Sequence, residues 1–294
     1  MMLTGFARQL LGPVGAELRR IASRRLDPLP WLDTPKIPAL DVPAPEGLFM
    51  FANRSYRPAR LLYRRSRFGD DQRLKYLLYF LDLRGLRTLE LGPLTGYHSI
   101  ILEKLGVRES VAVEGREDNY RLCLQVKERY QLERTTFVHQ NIEAIYSGQE
   151  PAAFTGSFDV ALCLGVLYHL PDPARALEWL RTQAPTLFLA THYFEPAEAK
   201  RYRSDKFTDA SYRHRGRAYR VKQYREGGLE DPHSGLSRFS LWPYEEDLIR
   251  MLEDAGYNEI HLLGRDLHNQ KPHLTLLADA RVVTHDSSAP ATYV

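Results

Sequence analysis

Two carboxylates, two glycines and two histidines carry the chemistry legible in this chain. Glu90 lies in a short apolar run, Thr88-Leu-Glu-Leu91, and Gly92 and Gly96 follow directly. Glu114 comes 24 residues after Glu90, behind Val111-Ala-Val113. His169 follows and His192 ends a further apolar run, and each has a tyrosine beside it, Tyr168 and Tyr193. Glycines so placed let the backbone turn sharply and approach a ligand with no Cβ in the way. A carboxylate such as Glu114 can accept a pair of sugar hydroxyls at once. A histidine, with an ordinary pKa of ~6.5, is the natural base for a hydroxyl proton.

These residues need elements to hold them, and the hydrophobic pattern supplies them. From Arg87 onward, apolar runs alternate with helical segments. The runs predict strands over Thr88–Gly92, Ser110–Glu114, Thr135–His139, Phe158–Leu164 and Thr186–His192. Helices are expected over Tyr97–Leu105, Glu117–Tyr130, Pro173–Thr182 and Glu245–Ala255, and an earlier one over Asp70–Leu83. Closing strands fall at Glu259–Leu263 and Leu274–Ala278, separated by a polar turn. Nearly all-apolar strands alternating with helices indicate a doubly wound parallel α/β sheet covered on both faces. Such sheets bind ligands beyond the carboxyl ends of their strands. Glu90, Gly92, Glu114, His169 and His192 all pass that filter.

The spacing of the first turn narrows the ligand. A dinucleotide loop reads G-x-G-x-x-G so that the backbone can close on a pyrophosphate. Here Leu94 occupies the middle position, and the acid Glu90 precedes the turn. That suits a ligand with an adenosine but no phosphate, whose cationic amino group favours a nearby carboxylate. The pattern Glu90-x-Gly92-x-x-x-Gly96, with Glu114 at the next strand end, resembles the class I S-adenosylmethionine-dependent methyltransferases over roughly residues 70 to 280.

That resemblance implies a Rossmann-like seven-stranded sheet ending in an antiparallel hairpin, and S-adenosyl-L-methionine as cofactor. It places Glu90, Gly92 and Gly96 at the cofactor turn and Glu114 on the ribose. It puts the adenine contact at Asn141, where many family members carry Asp, with Ile142 packed on the purine. Leu164 and Gly165 would lie beside the methionine portion. Gly165-Val-Leu-Tyr-His169 and Gly96-Tyr97-His98 are also similar to the family that carboxymethylates the wobble uridine of transfer RNA. For catalysis the candidates are His169 and His192, with Tyr168 orienting the acceptor. No metal site is expected.

The segment Ala199–Glu226 interrupts the α/β alternation inside a basic insertion at about 195–240. It carries ten Lys or Arg against Asp205, Asp209 and Glu226, with five aromatics interleaved. Cations neutralise phosphates and aromatic faces stack on bases or sugars. An RNA, a phosphorylated or nucleotide-linked molecule, an acidic glycan and a plain solvated lid helix all stay open. A second basic strip, at Arg54, Arg57, Arg60, Arg64, Arg65 and Arg67, precedes the domain.

The remainder bounds the problem. The formal charge of +3 over 294 residues is too small to mark the whole chain as a nucleic-acid binder. Cys123 and Cys163 form neither a disulfide framework nor a metal spacing, so a reducing, cytoplasmic setting is expected. Residues 1–26 form a basic amphipathic segment, a candidate for a membrane surface, a partner or the domain itself. Residues 27–47 are a proline-rich connector, 48–281 the main domain and 282–294 a tail. The leading expectation is a methyltransferase acting on oxygen of a small-molecule, nucleotide-linked or glycan-like acceptor. A transfer RNA-modifying methyl- or carboxymethyltransferase and a non-catalytic cofactor-binding protein are the alternatives.

Overall fold

The computed structural model describes residues 77, 81–199, 204–227, 234–268 and 271–280, with backbone alone at 49–52, 55–58, 204 and 266–268. The N-terminal segment, the proline-rich connector, most of the second basic strip (Arg54–Arg67) and the tail lie outside these residues. So does most of the helix expected over Asp70–Leu83. Its Leu77 is helical and fully buried, and the Leu81 N–H donates to the Leu77 carbonyl at 3.0 Å.

A small hairpin, β1 (Phe49–Ala52) and β2 (Ser55–Pro58), comes first. Then β3 (Arg87–Leu91), α1 (Tyr97–Lys104), β4 (Glu109–Glu114), α2 (Glu117–Tyr130), β5 (Thr135–His139) and the short α3 (Ile142–Ile145) alternate. They continue through β6 (Val160–Leu164), α4 (Pro173–Gln183) and β7 (Thr186–His192). After an intervening sheet come α5 (Glu245–Asp254), β11 (Glu259–His268) and β12 (Lys271–Asp279). Seven strands form one sheet in the order β11-β12-β7-β6-β3-β4-β5. Strands β3 to β7 run parallel, and β12 and β11 close it antiparallel. The expected hairpin is present with longer strands, since Asp266–His268 and Lys271–Pro272 pair rather than forming the turn.

Alternation along the strands builds two cores. Ala161 and Cys163 of β6 face the core shared with α3, α4 and α5, while Val160, Leu162 and Leu164 face the one shared with α1 and α2. Strands covered on both faces have no room for polar alternation, which is why they read as continuous apolar runs.

The basic insertion folds as strands, not as a lid helix. β8 (Phe207–His214), β9 (Arg217–Arg225) and β10 (Phe239–Pro243) form a separate antiparallel sheet in the order β10-β9-β8. It is fastened to the main body at several points. The Tyr212 hydroxyl donates to Asp172, the N-cap of α4, and accepts from the Ala174 N–H at 3.2 Å. Arg220 donates to the fully buried Asp247 of α5 at 2.7 Å, and the Leu241 N–H donates to the Leu170 carbonyl at 3.1 Å. These ties bring the second sheet to the carboxyl ends of the parallel strands.

Candidate functional site

The turn after β3 is built from left-handed residues. Gly92, Leu94 and Gly96 have φ of 64°, 56° and 79°. At Gly92 a Cβ would stand 2.5 Å from Val166 Cγ2, so glycine is needed for both backbone and space. Leu94 holds a conformation that costs an L-residue about 1–2 kcal/mol. Its N–H donates to Glu114 Oε2 at 3.1 Å, and the Cys123 thiol contacts its carbonyl at 3.7 Å, which fixes the turn. Gly92→Ala is expected to lower unfolding free energy by about 1–3 kcal/mol in urea titrations, combining left-handed strain with overpacking against Val166.

Glu90 lies beneath this turn. Its Oε2 accepts from the Ser99 hydroxyl at 2.6 Å, while Oε1 is buried without a hydrogen-bond donor and lies 3.5 Å from His98 Nδ1. Glu114 ends β4 with its carboxyl turned toward the glycine turn. Oε1 accepts from the Arg116 N–H at 2.8 Å and Oε2 from Leu94. Burial dominates these contacts and pushes its pKa up to about 7. A carboxylate kept costly to ionise beside a strained turn is a functional-site signature.

On the far side, Asn141 caps α3, its Oδ1 accepting from the Glu143 N–H at 2.9 Å. That oxygen keeps a second lone pair. Ile142 is buried next to it. Leu164 and Gly165 end β6, and Gly165, with φ 88°, donates its N–H to Ala190. The eight residues expected at a cofactor therefore gather around the carboxyl ends of β3 to β6.

Sequence reading missed the segment Ser234–Ser237, which bridges these strand ends. Arg116 Nη2 donates to the Ser234 carbonyl at 2.7 Å, and the Ser237 hydroxyl to Glu143 at 2.7 Å. Leu236 Cδ1 lies 2.7 Å from where a Gly115 Cβ would stand. The same segment leads to Glu226, the most consequential omission. In the sequence Glu226 is one acid beside a basic run. In the fold it is buried, with its carboxylate on His169 Nδ1 at 3.1 Å. Burial pushes its pKa up, but His169, the Ser240 hydroxyl (2.6 Å) and the Gly235 N–H (3.0 Å) outweigh it and hold it at about 2. An ionised carboxylate only accepts, so Nδ1 carries the hydrogen and Nε2 of the neutral ring is a base. Among the described residues Nε2 makes no hydrogen bond. The one sequence signal was the glycine pair following Glu226, a cue that the basic run ends in a turn.

The other candidates sit differently. Tyr168 packs between the two histidines, its ring 4.1 Å from His169 and 4.5 Å from His192. His192 is buried, stacks flat on Trp242 at 5.1 Å and donates from Nδ1 to the Pro272 carbonyl at 2.9 Å. Tyr193 is also buried, and burial raises its hydroxyl pKa to about 12. The arginines and lysines of the second sheet are largely paired. Arg215 meets Glu178, Arg217 meets Asp254, Arg220 meets Asp247 and Glu246, and Lys222 meets Asp209. Among the described residues, no cluster of His, Cys, Asp and Glu could hold a metal, and no helix is long and apolar enough to cross a membrane.

Comparison with known proteins agrees with this architecture. A ubiquinone biosynthesis O-methyltransferase of Xanthomonas oryzae pv. oryzae is 31% identical over 128 residues, 42% of this chain and 51% of that protein. A tRNA U34 carboxymethyltransferase of Campylobacter hominis is 26% identical over 119 residues, 40% of this chain and 39% of that protein. The chain thus spans about half or less of the length of these curated relatives. Among solved structures, the N-terminal domain of EvdMO1, crystallised with SAH and D-fucose, is 27% identical. It covers 72% of this chain and 83% of its own, with a TM-score of 0.58. The family described as "Methyltransferase domain" matches residues 53–262, well over half the chain, and the protein belongs to that family.

Proposed function

We propose that the protein methylates an oxygen of a small-molecule, nucleotide-linked or glycan-like acceptor, with His169 as general base and Glu226 holding it. The cofactor is S-adenosyl-L-methionine, which when bound supplies an electrophilic methyl group for in-line displacement. The residues present fit it. Glu90 Oε1, buried without a donor, suits a ligand ammonium. The Gly92–Gly96 turn gives backbone access. Glu114 is placed to accept both ribose hydroxyls, and Asn141 and Ile142 to meet the adenine. Leu236 supplies the apolar surface that Gly115 lacks. Leu236→Ala is expected to weaken S-adenosylhomocysteine binding by roughly 3- to 10-fold, from about 1 kcal/mol of lost apolar contact. Calorimetric titration would read it, and an unchanged affinity would show that Leu236 does not contact the cofactor.

The observation carrying this reading is the His169–Glu226 pair beside the cofactor turn. Methyl transfer needs positioning above all, and an alcohol or phenol also needs its proton removed as its oxygen attacks. His169 Nε2 provides that proton acceptor, while Tyr168 flanks the acceptor. His192, pinned to Pro272 and Trp242, serves the wall rather than the proton. The structural neighbour crystallised with D-fucose supports a sugar-like acceptor. A transfer RNA acceptor has less support, because four of the described cations of the second sheet are already neutralised by carboxylates. The test is methyl transfer from labelled S-adenosylmethionine to a panel of hydroxylated sugars, nucleotide-linked sugars and phenols, with transfer RNA alongside. Labelling of transfer RNA alone would refute the small-acceptor reading.

A further inference from the structure

Two lysines from distant parts of the chain each lie against the same aromatic ring, Tyr224. Lys206 Nζ lies 5.2 Å from the centre of the Tyr224 ring, and Lys271 Nζ lies 5.3 Å from the same centre and 5.5 Å from Trp242. Tyr224 and Trp242 stack at 5.2 Å. Each ring face attracts a cation, yet two like charges against one ring repel each other. Among the described residues neither ammonium has a carboxylate partner, although the adjacent Lys222 has Asp209. A further donor is idle here. Trp242 is fully buried, and its indole Nε1 has no acceptor among the described residues. A buried donor without an acceptor costs about 1–3 kcal/mol, which a ligand oxygen can relieve.

The geometry points to an oxyanion subsite: a phosphate or carboxylate carried by a small acceptor rests between Lys206 and Lys271 against Tyr224 and Trp242. Its link to methyl transfer rests on the function proposed above. The Tyr168 ring links this aromatic wall to the base, lying 5.6 Å from Trp242 and 4.1 Å from His169. An acceptor anchored by its anion at the wall therefore has its hydroxyl delivered toward His169. A nucleic acid is disfavoured because a polyphosphate needs a track of free cations. Farther along the same hairpin, Arg215, Arg217 and Arg220 are paired with carboxylates of this chain.

The test uses the full chain saturated with S-adenosylhomocysteine, titrated at constant ionic strength with inorganic pyrophosphate and, separately, with malonate. The Trp242 indole N–H resonance, assigned through Trp242→Phe, reports binding. A saturable shift with one anion is expected and tells phosphate from carboxylate. The Lys206→Gln/Lys271→Gln double variant should weaken it by at least about 10-fold, whereas Lys104→Gln on α1 should not, as a local charge pair requires. S-adenosylhomocysteine should bind the double variant as it binds the original. If neither anion shifts the resonance, or the double variant and Lys104→Gln behave alike, the subsite is refuted while cofactor binding stands. If a transfer RNA transcript displaces the anion and loses affinity in the double variant, the small-acceptor assignment is overturned. Failure of S-adenosylhomocysteine to bind at all would instead count against the proposed function.

Discussion

His169→Ala should lower turnover by about 10²–10⁴-fold, the usual worth of a positioned base, while S-adenosylhomocysteine affinity stays within about twofold. The separation follows from geometry, because His169 belongs to the acceptor side and its polar link is to Glu226, not to the glycine turn. Full activity in the variant would strike His169 from the mechanism. Glu226→Gln is the finer test. The amide oxygen can still accept from Nδ1 and Ser240, while its NH2 replaces the acceptor of the Gly235 N–H, so that bond is lost along with the negative charge. The charge stabilises an imidazolium, so its removal favours the uncharged ring. The acid limb of the kcat profile is therefore expected to move to lower pH, with kcat itself down by roughly 10- to 100-fold. A merely structural Glu226 would change stability and leave that limb in place.

The second large effect lies at Glu114. Glu114→Ala removes a charge-assisted bidentate acceptor and should weaken S-adenosylhomocysteine binding by on the order of 1.5–3 kcal/mol. It also strands the Leu94 and Arg116 N–H donors, so urea titration must accompany calorimetry. The pH dependence separates the two effects. Burial holds the free protein's Glu114 at about 7, above its ordinary 4.5. Bound ribose hydroxyls donate to the ionised form, so affinity should fall about tenfold from pH 8 to pH 6 as the carboxyl protonates. Glu114→Gln, which cannot titrate, should flatten that slope. Without ligand the sign reverses for stability. A folded pKa above the unfolded one favours folding below pH 4.5, and that contribution is lost as pH rises through 7. The site thus keeps an ionised group that the empty fold disfavours, consistent with a role in binding.

Much of the molecule was readable in one dimension. Helical periodicity of 3.6 and apolar runs such as Val160–Leu164 are properties of neighbours along the chain, and the runs predicted the parallel strands to within a residue or two at most ends. The glycine turn was readable for the same reason, since positive φ is a local demand that few residues meet. The shape of the insertion was not legible in the sequence. A basic run with interleaved aromatics is compatible with either a helix or strands, and only pairing with β10 and docking on α4 and α5 made it a sheet.

By itself, then, the sequence determined the doubly wound core, the cofactor turn and the acids and histidines at the strand ends. What the tertiary structure alone decided is which of those groups work together. His169 and Glu226 are 57 residues apart, Arg116 and Ser234 are 118 apart, and Lys206 lies in the turn before β8 while Lys271 begins β12. Such pairings leave no mark in local spacing, because they depend on how a second sheet is docked against the first. That docking also set four cations of an apparently phosphate-seeking basic run, Arg215, Arg217, Arg220 and Lys222, against the chain's own carboxylates.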